Sequence, residues 1–132
     1  MGLFNNFFGG AVELNKLANA AANVMHFLDL FETDDDPTYL LTSAWMCKVG
    51  ITDRVERNNW KPNFIVYVQR HGHLTKMTIM EVYVHTIGRL KNKAEIYWDS
   101  SMAKIVDNIL AGEEEFYNID RQIPQNLRDV VL

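Results

Sequence analysis

With 132 residues, 48% of them hydrophobic and 23% charged, the chain has the size and composition of one globular domain, far from the disordered regime. A domain of this length buries roughly two-thirds of its unfolded surface, so neither disulfides nor a structural metal is required. Cys47 is the single cysteine, which excludes an internal disulfide, and the net charge of −4 excludes a general attraction to nucleic acid or anionic lipid.

The opening stretch MGLFNNFFGGAVE lacks the basic region of a secretory signal, and Glu13 and Lys16 interrupt its apolar run. The uncharged runs Met1 to Val12 and Leu17 to Leu28 contain asparagines and are too short to cross a bilayer. A reducing cytoplasm is the expected compartment. Residues 1–10 form an apolar, glycine-flanked segment carrying Leu3, Phe4, Phe7 and Phe8.

Leu14, Leu17, Ala21, Val24, Leu28 and Phe31 then recur at spacings of three and four, the seam of a packed helix from about Ala11 to Glu32. Asp36 can cap a second helix with Pro37 at its first position, where a missing N–H costs nothing. This helix is expected to stop at Gly50. Gly50-Ile51-Thr52 and Gly72-His73-Leu74-Thr75 each read as a glycine cap followed by a threonine able to start the next helix, with Leu74 and Ile79 as a hydrophobic staple about Thr75.

Phe64-Ile65-Val66-Tyr67-Val68 has strand propensity. The following Met77, Met80, Val84, Ile87 and Leu90 repeat at helical spacing, whereas strict alternation would put Lys76 and Thr78 on one face with Met80 and Val82. Helices are therefore favoured over a hairpin centred on His71-Gly72. A further helix begins near Asp99 or Ser100, carries Met102, Ile105, Val106, Ile109 and Leu110, and ends at Gly112. The tail reads as a short helix, a break at Pro124 and a last turn ending in Val130-Val131-Leu132. The fold expected is an all-α, single-domain bundle of about five to seven helices over residues 1–132. The alternative is α+β, with a short hairpin around residues 63–85.

His71, His73 and His85 are the candidate metal ligands, but zinc needs three or four converging ligands, and Cys47 lies far off in the chain. His71 and His73 read more simply as turn residues, His85 as a helix-surface residue, and His26 as solitary. Cys47, among Trp45, Met46 and Val49, reads as a small buried hydrophobe rather than a nucleophile. Asp53, Glu56, Glu81 and Glu95 could supply paired carboxylates, as in any globular protein. No Gly-rich phosphate loop, nucleophile elbow or His-Glu-x-x-His pattern is present. Asp34 to Asp36 lack the spacing of an EF-hand loop, and Glu113 to Glu115 read as an acidic first helical turn.

A helix-turn-helix reading fails at the buried positions of its second helix, which would be Glu56 and Asn59 or Thr78 and Glu81. Arg89, Lys91 and Lys93 read as cations at a helix C-terminus. Asn6 stands where a myristoylation signal requires serine or threonine, and the helix after the phenylalanines lacks a Lys/Arg face for lipid.

By elimination the expectation is a non-enzymatic protein-binding or assembly protein: an adaptor, an inhibitor or immunity-type factor, or a complex subunit. Its partner would be another protein or a second copy of itself, with no nucleic acid, membrane, metal or cofactor. Phe4, Phe7 and Phe8 are the candidate partner-binding residues, the alternative being that they fold back on the domain's own core. Two other classes stand behind this: a small ligand-binding or metal-dependent enzyme using His71, His73 or His85, and a peripheral membrane protein held by Phe4, Phe7 and Phe8.

Overall fold

The computed structural model describes the backbone of residues 2–97 and 100–132 and the side chains of residues 10–96 and 101–132. It is 75% helical with one small antiparallel sheet. Helix α1 spans Gly2–Asp34, longer at both ends than its apolar seam predicts. The seam faces the core: Leu17, Ala21, Val24, Leu28 and Phe31 are all buried. Asp35 closes α1 in the left-handed region, with φ 57°, and donates its N–H to the Phe31 carbonyl.

Asp36 caps helix α2 (Pro37–Met46) by accepting the Thr38 N–H at 2.9 Å, as its sequence implies. Gly50 does not end this helix. The chain passes through a π-helical turn, Cys47–Thr52, straight into α3 (Asp53–Asn58), and terminates at Asn59 with φ 52°. Gly50 is there for packing: a Cβ at this position would stand 2.4 Å from the Ala20 Cβ on α1. The glycine permits close approach of two helices and has no capping role.

Two strands follow, β1 (Ile65–Arg70) and β2 (His73–Thr78), so the alternative hairpin is present and the helical reading of this segment is corrected. His71 and Gly72, with φ of 50° and 82°, form the two-residue turn of the type I′ class, whose twist suits a hairpin. Alternation stops at Thr78, and the chain turns helical at Ile79. Lys76 and Thr78 therefore never share a strand with Met80 and Val82, which removes the objection raised by the sequence pattern.

The start of helix α4 (Ile79–Tyr97) is set by Thr78 and Glu81 rather than Thr75. The Thr78 N–H donates to the Glu81 carboxylate at 2.7 Å, and the Glu81 N–H donates to the Thr78 hydroxyl at 3.2 Å. Leu74 is 69% exposed, so no staple forms about Thr75.

Helix α5 (Ser100–Leu110) ends where Gly112 takes φ 76°, and Asp99, the other expected start, lies outside the described residues. Short helices α6 (Glu114–Asp120) and α7 (Gln125–Val131) complete the chain, with Pro124 at the break between them. Buried residues from every helix but α3, from the π turn and from β1 form one hydrophobic cluster, with Val55 of α3 packed against it.

Candidate partner-binding cleft

Three groups of charged and aromatic side chains are saturated by their own neighbours. Arg54, 1% exposed, bonds to the Glu13 carboxylate at 3.1 Å and to the backbone oxygens of Gly50, Val131 and Leu132. Arg57 and Asn58 join it at Glu13. Burial pushes the Glu13 carboxyl up, but the bonds from Asn58, Arg54 and Arg57 outweigh it and hold the group below its ordinary value.

Trp45 donates its ring N–H to Asp120 at 2.9 Å, while Arg128 pairs with Asp120 and lies over the indole at 5.5 Å. Arg89 pairs with Asp29 and Glu32, and Lys93 with Glu32. These two cations, expected at a helix end, instead tie the middle of α4 to α1. All three groups join elements distant in sequence and leave nothing aimed at a ligand.

Side chains proposed for chemistry do not converge. Burial pushes the Cys47 thiol far up and holds it protonated, a state without nucleophilic power. His71 sits on the hairpin turn, His73 on β2, and His85 on α4 with Nε2 3.5 Å from an Arg70 nitrogen. His26 and His71 line a separate 230 Å³ hollow with Asp29 and Arg70. Among the described residues no group of three or more His, Cys, Asp or Glu side chains could hold a metal ion. Asp53 is paired with Lys48 at 2.7 Å, and the Glu81 carboxylate accepts the Thr78 N–H. The side chains of Phe4, Phe7 and Phe8 lie outside the described residues, on a backbone helical from Gly2.

What the fold does bring together is an apolar cleft of about 680 Å³ between the hairpin and α4. Its apolar lining is Met25, Val68, Met77, Met80 and Val84, and its rim is Arg70, Lys76, Glu81 and His85. It arises because α4 is apolar on two stripes. One stripe, Ile79, Val82, Thr86, Leu90 and Ala94, faces the core. The other carries Met80 and Val84, which the sequence seam placed inward, yet they are 49% and 60% exposed. Helix α4 can bury only one stripe against α1 and α2, and the hairpin leaves the second uncovered.

The apolar surface continues past Met80 into a 190 Å³ hollow lined by Val55, Trp60, Pro62, Ile79 and Tyr83. Among the described residues Arg70 and Lys76 form no ion pair, and neither do Lys16, Lys61, Lys91, Lys104 and Arg121. No helix among the described residues is long and apolar enough to cross a membrane. Comparison with protein-family models, curated proteins and solved structures finds no match.

Proposed function

We propose that this chain is a protein-binding module, without catalysis of its own, that receives an apolar segment of another protein in the cleft between the hairpin and α4. One observation carries the reading: the exposed second stripe of α4, Met80 and Val84, faces an open cleft floored by Met25, Val68 and Met77. Contiguous apolar exposure of this kind, rimmed by polar groups, marks interaction surfaces. Methionine's flexible thioether also lets such a surface adapt to the side chains it receives. Saturation of the buried charges elsewhere supports a scaffold role for the rest of the fold. A cytoplasmic setting is proposed with it, on the sequence grounds already given, and Phe4, Phe7 and Phe8 remain a second proposed contact.

The reading is tested by purifying the tagged chain and a Met80→Glu/Val84→Glu variant from the native host and identifying associated proteins by mass spectrometry. Both positions are exposed, so the variant stays folded by circular dichroism. The expected result is a protein present with the wild type and absent with the variant. Identical sets of associated proteins would reject the cleft.

A further inference from the structure

We propose that the segment taken up by the cleft is an extended strand, alternating apolar and acidic side chains, that adds to the free edge of β2. This rests on the cleft being the binding site, and goes beyond it to the chemistry and conformation of the occupant.

The register of the hairpin decides which backbone groups are available. The two-residue turn makes Arg70 and His73 the closing pair, with Val68 opposite Thr75 and Val66 opposite Met77. In an antiparallel ladder with a two-residue turn, these alternate pairs exchange their hydrogen bonds with each other. Leu74, Lys76 and Thr78 therefore turn their N–H and C=O groups outward. Thr78 is already capped by Glu81, which closes that end of the edge. Leu74 and Lys76 are left, and among the described residues no backbone hydrogen bond from outside the hairpin reaches either.

The cleft lies along this edge. Consecutive residues Thr75, Lys76, Met77 and Thr78 line one wall, and Met80, Glu81, Val84 and His85 the other. A strand placed beside β2 at the usual spacing of about 4.8 Å would sit between these walls. Its alternate side chains would point down onto Met25, Met77 and Val84, and the others outward beside Lys76. Main-chain bonds would supply register and the pocket side-chain selection.

Charge selects the occupant. The chain is acidic overall, yet the two cations beside the cleft, Arg70 and Lys76, have no carboxylate partner among the described residues. A lysine on an open edge repels the same edge of a second copy, a device that keeps sheet edges from self-pairing. A strand with acidic residues at its outward positions meets no such barrier and gains Lys76, which shares the outer face of the hairpin with Tyr67, as a partner.

The test uses the full ¹⁵N-labelled chain and a blocked peptide alternating isoleucine with glutamate. The expected result is a downfield shift and slowed exchange of the Leu74 and Lys76 amides, with smaller shifts at Met80 and Val84. The same peptide N-methylated on the face toward β2, or with lysine for glutamate, should bind at least about tenfold more weakly. Leu74→Pro, which removes an outward N–H that the hairpin does not use, should leave the circular dichroism unchanged and weaken binding similarly. Shifts at Met80 and Val84 with Leu74 and Lys76 unmoved would overturn strand addition while leaving the cleft reading intact. Equal binding of the N-methylated peptide would overturn it in the same way. No shift at either set of residues would overturn the assignment of an acidic, apolar occupant.

Discussion

Gly50 in the π-helical turn lies so close to Ala20 of α1 that a Cβ at position 50 would stand 2.4 Å from the Ala20 Cβ. Both atoms are fixed to helix backbones, so neither can swing aside. Gly50→Ala gains about 1 kcal/mol in helix propensity, but overpacking costs about 1–3 kcal/mol, and here the contact is far inside van der Waals distance. The variant is therefore expected to be destabilised, by about 1–2 kcal/mol or more, in urea unfolding. A variant as stable as the wild type would show that the helices do not meet at this point.

Thr86 is buried on α4, and its hydroxyl has no hydrogen-bond partner among the described residues. An unmet buried hydroxyl costs about 1–3 kcal/mol, and valine has nearly the same shape. Thr86→Val is expected to raise the melting temperature by several degrees. A clear fall would mean that the hydroxyl has a partner.

Acid should weaken the fold through Glu13 and Glu32. Burial pushes Glu13 up, but Asn58, Arg54 and Arg57 together hold it below its ordinary value, and the Lys93 hydrogen bond lowers Glu32 more strongly than burial raises it. Both groups bind a proton less tightly folded than unfolded. Their stabilisation is thus complete above the ordinary carboxylate range and is lost as pH falls through the lowered folded values. Urea midpoints should fall on acidification, and Glu13→Gln should be less stable at neutral pH with a shallower acid loss. Equal acid dependence in variant and wild type would contradict the Glu13 contribution.

Much of the helical layout was legible in the sequence, because single apolar stripes dictate which face is buried. Leu17 to Phe31 of α1, the Asp36-Pro37 start and the Gly112 stop each follow from local chemistry. The hairpin was legible only as an alternative. Its turn, His71-Gly72, needs positive φ at both residues, and histidine there gives a weaker signal than asparagine or aspartate. The Thr78–Glu81 capping box was present in the sequence and would have placed the start of α4. Arg54 could not be found, since its partners Glu13 and Val131 come from opposite ends of the chain. The cleft was hidden for a related reason: an apolar pattern on two sides of α4 does not tell which side the fold covers.

Removal of residues 1–8 tests the second proposed contact. If Phe4, Phe7 and Phe8 meet a partner, the deletion leaves melting nearly unchanged and weakens association measured by analytical ultracentrifugation with that partner. A large drop in melting temperature would assign these residues to the domain's own core.

Photo-crosslinking in the native host tests the cleft most directly. A benzophenone side chain replaces Val84 in the cleft or, as a control, Arg121, an exposed residue at the end of α6. A discrete protein adduct at position 84, lost on adding Met80→Glu and absent at position 121, is the predicted result. Adducts of the same pattern at both positions, or none at position 84, would contradict a binding cleft between the hairpin and α4.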